Sequence, residues 1–78
     1  MSRELVTPQH IQHWLSDRIN GDHALLDNGH HQHVSAPVKD KPDAEGCNWR
    51  VAAWRNPAGY ESVIETAVDE ARARFNLE

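Results

Sequence analysis

Residues 47–55, Cys47-Asn-Trp-Arg-Val-Ala-Ala-Trp-Arg55, decide how the chain is read. Side chains alternate there with the period of two that marks a β-strand: Trp49, Val51 and Ala53 share one face, Arg50, Ala52 and Trp54 the other. Downstream, Asn56-Pro57 closes the strand, and a helix is expected over about 58–75. Its Tyr60, Val63, Ile64, Ala67, Val68, Ala71 and Phe75 fall on one narrow stripe. Glu61, Glu65, Asp69 and Glu70 precede Arg72 and Arg74 along it, the order that suits the helix dipole, and Glu70 and Arg74 are spaced for an i,i+4 pair.

Upstream of the strand, residues 37–46 form a polar loop punctuated by Pro and Gly. Before it, Asn28-Gly29 is the strongest short signal for a two-residue hairpin. It predicts paired strands over about 23–27 and 30–36, with Leu26 opposite His31 and Leu25 opposite Gln32; a buried loop is the alternative for the first of these. Val34, Ala36 and Val38 alternate with His31, His33 and Ser35, and Pro37 confines this strand to an edge or ends it. The first helix is expected over about 8–20. Thr7 is its N-cap, Pro8 its first residue, Ile11, Trp14, Leu15 and Ile19 its apolar stripe, and Asn20-Gly21 its left-handed stop. Leu77-Glu78 reads as a remnant of a cloning junction and carries no weight in the expected fold.

The expected architecture is therefore α+β in two layers, α-β-β-β-α or α-β-β-α, with a small antiparallel sheet covered on one face by two helices. Residues 1–78 make a single small domain. A chain of this size buries only about 60% of its unfolded surface. Cys47 is the only cysteine, so no intramolecular disulfide helps, and self-association becomes attractive.

Twelve acidic against eight basic residues give a net charge of −4. That balance disfavours a non-specific grip on nucleic acid or on an anionic membrane. No apolar run reaches the roughly 20 residues of a membrane span, and the opening Met-Ser-Arg-Glu-Leu-Val-Thr-Pro lacks the apolar core of a secretory signal. A cytoplasmic, bacterial-type protein is expected.

If Trp49, Val51, Ala53 and Val34 face the helices, the open face of the sheet carries Leu26, His31, His33, Arg50 and Trp54, together with Ala24, Ser35 and Ala52. A Trp and a Leu beside imidazoles and an Arg suit an interface, since Trp and Arg are frequent anchors there. A Trp54 lying flat on the sheet under Arg50 would serve the strand alone. His31 and His33 are two apart on one strand face and could share a transition metal; His10 and His13, with Asp17 near, offer a second pair. None of these completes a zinc pattern, and no cofactor is expected. Cys47 reads as a small hydrophobe at the start of a strand.

The order α-β-β-β-α resembles that of double-stranded-RNA-binding domains. That family grips RNA through a lysine-rich start of its last helix, where this chain has the acidic Tyr60-Glu61-Ser62-Val63-Ile64-Glu65. A shorter segment, Gly29-His30-His31-Gln32-His33, is similar to the Gly-Ser/Thr-His segment of HicA-type mRNA interferase toxins, with Gly29 where that family has Ser or Thr. The resemblance implies ribonuclease activity with His30 or His31 as general acid or base. Without it, the residues favour a non-catalytic interaction or regulatory module. Its partner would be another protein or a second copy in a homodimer, with nucleic acid and membrane disfavoured.

Overall fold

The computed structural model describes residues 3–78; Met1 and Ser2, which open the stretch read as lacking a secretory core, lie outside the described residues. It is a small α+β fold. In chain order the elements are β1 (Glu4–Val6), α1 (Pro8–Asn20), α2 (His23–Asp27), β2 (Val38–Lys39), β3 (Trp49–Arg50), α3 (Glu61–Arg74) and β4 (Phe75–Leu77). Strand β1 pairs in parallel with β4, and β2 pairs antiparallel with β3.

The helical layer follows local chemistry. Thr7 Oγ1 accepts the His10 N–H at 3.2 Å, and Pro8 takes the first helical position. Ile11, Leu15 and Ile19 of α1 pack with Ile64, Ala67 and Ala71 of α3, all buried. The alanines let the two helices approach closely. Gly21 ends α1 for a different reason from the one expected. Its φ of −85° is right-handed, but a Cβ there would lie 2.9 Å from the Asp17 carbonyl oxygen. Close approach, not handedness, requires glycine.

Residues 23–27 form neither a strand nor a loop but the short helix α2. Asp22 Oδ1 accepts the Ala24 N–H at 2.9 Å, capping its start. The expected hairpin is absent because Asn28-Gly29 terminates this helix instead. Gly29 is left-handed (φ 62°), His30 N–H donates to the Leu25 carbonyl and Gly29 N–H to that of Leu26. This is the Schellman pattern, which uses the same left-handed glycine that a hairpin turn would use. Leu25 points into the core and Leu26 stays outside.

Residues 30–36 run without a ladder partner, so the second expected strand is also absent. A side chain takes its place. Asn20 Oδ1 accepts the Gln32 N–H at 2.7 Å, and Asn20 Nδ2 donates to the Gln32 carbonyl at 3.1 Å. Gln12 Nε2 donates to the Val34 carbonyl at 2.9 Å. The expected alternation survives over this stretch, with Gln32 and Val34 buried and His31 and His33 exposed, but Ala36 is exposed and Pro37 buried.

The strand at 47–55 is cut to Trp49–Arg50. The register pairs Val38 with Arg50 and Lys39 with Trp49, which brings Pro37 opposite Val51. Proline has no N–H to extend the ladder there. Trp49 is buried, and its Nε1–H donates to the Phe75 carbonyl at 2.9 Å. Phe75 thus leaves the helix and opens β4 with extended backbone, so α3 ends at Arg74. At its other end α3 starts at Glu61 rather than 58, after a turn in which Tyr60 N–H donates to the Pro57 carbonyl. Glu70 does not pair locally with Arg74. It reaches Arg18 on α1 at 3.1 Å, and Arg74 lies over the Trp14 ring.

The last residues belong to the fold. Leu77, expected to carry no weight, is only 5% exposed and pairs with Val6, while Glu78 N–H donates to the Val6 carbonyl. Two more amides join this pair of strands to β3. Asn48 Nδ2 donates to the Leu77 carbonyl (3.0 Å) and Asn48 Oδ1 accepts the Leu77 N–H (2.8 Å). Asn76 Nδ2 donates to the Gly46 carbonyl in return. The polar loop before β3 is wound around Asp43, whose carboxylate accepts the N–H groups of Glu45 and Cys47 and also meets Arg72. Those two backbone donors first, then Arg72, hold the Asp43 carboxyl below the ordinary carboxylate range.

Candidate functional site

The residues expected on one open sheet face lie at separate places. Arg50 is exposed on β3 and pairs with Asp40 at 3.4 Å. Leu26 is exposed on α2. His31 and His33 line a polar groove against α1, and Trp54 lies in an apolar hollow against α3, with no residue shared between the two. The physical reason is the short ladder: with β3 ending at Arg50, no sheet extends far enough to present these side chains together.

The groove is lined by Gln9, Gln12, His13 and Ser16 of α1 and by His31 and His33. Asn20 and Gln12, by holding the backbone of Gln32 and Val34, lay the 30–34 segment along the helix and set the two odd-numbered imidazoles outward. His13 joins them from one turn beyond His10, and its Nε2 lies 4.0 Å from Asp17. The sequence showed two separate histidine pairs; the packing of residues 30–34 on α1 makes a single imidazole-lined surface of His13, His31 and His33. Imidazoles, amides and a hydroxyl can donate to and accept from a polar ligand. Among the described residues, no group of three or more His, Cys, Asp or Glu side chains is placed to hold a metal ion.

His30 is set apart from these. Its ring stacks on Tyr60, with centroids 4.3 Å apart and planes 12° from parallel, and its Nε2 lies 3.3 Å from Gln32 Oε1. Gln32, fully buried, donates through Nε2 to the Arg55 carbonyl at 2.7 Å. His30 and Gln32 therefore tie the 30–34 segment to the chain around Trp54. Cys47 is buried, and its Sγ–H donates to the Trp49 carbonyl.

The apolar hollow is built by the start of α3 and the chain that enters it. Trp54, Pro57, Ile64 and Val68 form its walls, and Glu61 and Glu65 stand at its rim. Trp54 is half-buried and touches the core from outside, as do Val68 and Tyr60. The alternation of the strand placed Trp54 on an outer face opposite Trp49. Once the ladder stops, the chain instead turns Trp54 onto α3, while Ala53, expected inside, is exposed. Ile64 and Val68 are one turn apart on the α3 stripe, and Glu61 and Glu65 are likewise one turn apart beside it. The sequence marked Trp54 as notable; it did not pair Trp54 with α3, because that contact depends on where the ladder ends.

No helix among the described residues is long and apolar enough to cross a membrane. Comparison with known proteins finds no matching family model, no similar curated protein and no similar solved structure.

Proposed function

We propose that this chain is a non-catalytic protein-interaction module that engages its partner through the hollow around Trp54. The observation that supports this most is the composition of that hollow: a half-buried indole, a half-buried proline and the half-buried Val68 gathered over the buried Ile64, whereas the exposed Leu5, Leu26 and Val38 lie outside it. Tryptophan is among the commonest interface anchors, and a half-buried indole is already ordered before a partner arrives, so little side-chain entropy is lost on binding. Covering this hollow would also add apolar burial to a domain with a small core.

The test uses a photoactivatable label on Glu65→Cys, at the rim, and on Leu26→Cys, on α2; buried Cys47 reacts slowly by comparison. Labelled full chain in a cell extract is expected to cross-link to a discrete product from position 65 and not from position 26. Adding Trp54→Ala removes that product while the circular dichroism of the chain is retained. A product of twice the chain mass identifies a second copy as the partner. Equal products from both positions, or none from position 65, would sink the proposal.

A further inference from the structure

Resting on the interaction reading above, we infer that the Trp54 hollow takes an amphipathic segment that presents an aliphatic or aromatic anchor flanked by lysine or arginine. The apolar walls set the first half of that description and the charges of α3 set the second. Glu61, Glu65 and Asp69 follow one another at four-residue spacing and make a carboxylate stripe about 12 Å long, at 1.5 Å per residue. Its first two members stand at the rim of the hollow.

Like charges at this spacing destabilise a helix by a few tenths of a kcal/mol per pair, so the stripe needs a reason. Glu61 has one within the domain: it sits in the first turn, where the helix dipole favours it, and its Oε1 accepts the Gly59 N–H at 2.7 Å. Glu65 and Asp69 lie beyond that turn. Three carboxylates elsewhere meet arginines of this chain, Asp40 with Arg50, Asp43 with Arg72 and Glu70 with Arg18. Glu65 and Asp69 are exposed and have no cation within ion-pair distance among the described residues. A partner with basic residues one turn apart would supply those cations while its apolar anchor meets Trp54. Such rim charges act mainly on association rate and on the choice of partner, and they weaken with salt.

The probe is a synthetic helix-forming peptide of about 16 residues with leucines at i, i+4 and i+7 and lysines beside them, compared with the same peptide carrying glutamates in place of the lysines. Binding is followed on the full chain through the Trp54 indole N–H resonance. The lysine peptide is expected to shift that resonance and the glutamate peptide to leave it in place. Reversing the stripe with Glu65→Lys/Asp69→Lys, both at exposed positions, should weaken the lysine peptide about tenfold, as should a rise from low to high salt. Equal binding of the two peptides, no shift with either, or no effect of charge reversal would overturn the inference. If charge reversal has no effect while Trp54→Ala still abolishes the cross-link at position 65, the partner is not basic but the interaction reading stands. If Trp54→Ala has no effect either, both fail.

Discussion

α1 and α3 meet through aliphatic side chains and alanine, whereas the extended segments of the same small domain meet largely through amides. Ile11, Leu15 and Ile19 share one buried cluster with Ile64, Ala67 and Ala71, and the Arg18–Glu70 ion pair lies at its exposed edge. In the extended half, Asn20 bridges to Gln32, Asn48 to Leu77 and Asn76 to Gly46, each replacing hydrogen bonds that a neighbouring strand would supply. The helices satisfy their own backbone and need only bury an apolar stripe. Two- and three-residue strands cannot satisfy theirs, so the side-chain amide, which carries a donor and an acceptor in fixed relation, stands in for a strand. The two halves should therefore fail in different ways.

The largest effect is expected from the helical half. Leu15→Ala removes a fully buried side chain between the helices and should cost about 2–5 kcal/mol, read from the urea midpoint. A loss below about 1 kcal/mol would mean that the helices are not closely packed there. Next comes the extended half, where Asn48→Ala strips partners from both the N–H and the carbonyl of Leu77, at about 1–3 kcal/mol. Asn48→Asp sharpens the comparison, because a carboxylate still accepts from Leu77 N–H but cannot donate to its carbonyl. If Asn48→Asp is as stable as the parent, the amide is not acting as a strand substitute.

The smallest effect concerns pH. The folded Asp43 carboxyl titrates below its ordinary value, chiefly through the N–H of Glu45 and then that of Cys47, and Glu70 does so through Arg18. Lowered carboxylates contribute stability that is fully present above the ordinary range near pH 4 and is lost as pH falls through the folded value. Acid should therefore loosen the loop around Asp43, and Asp43→Ala should flatten the acid limb of the stability profile while lowering the plateau. Parallel acid limbs in parent and variant would show that Asp43 does not carry this dependence.

What was legible divides along the same line. The stripes Ile11-Leu15-Ile19 and Ile64-Ala67-Ala71, with Thr7-Pro8 as an opening signal, are local patterns that a helix reads directly. Asn28-Gly29 was ambiguous in principle, since a left-handed glycine serves a hairpin turn and a Schellman stop alike, and only the cap at Asp22 and the burial of Leu25 select the helix. Strands β1 and β4 carry too few residues to show a period, and their pairing spans almost the whole chain. At the candidate sites, Trp54, His31 and His33 stood out by residue type. Their neighbours did not: Val68 and Glu65 read as ordinary helix positions, and His13 as half of a different pair.

By itself, then, the sequence determined the two long helices, the burial of Trp49, the outward histidines at 31 and 33, and an α+β class, because each depends on spacing within a few residues. Tertiary structure decided the rest. It cut the strand at 47–55 to two residues by setting Pro37 opposite Val51, drew Phe75 out of its helix onto the Trp49 indole, and turned Trp54 onto α3. Those outcomes depend on which backbone donors and acceptors find partners from far along the chain, and no local period records that.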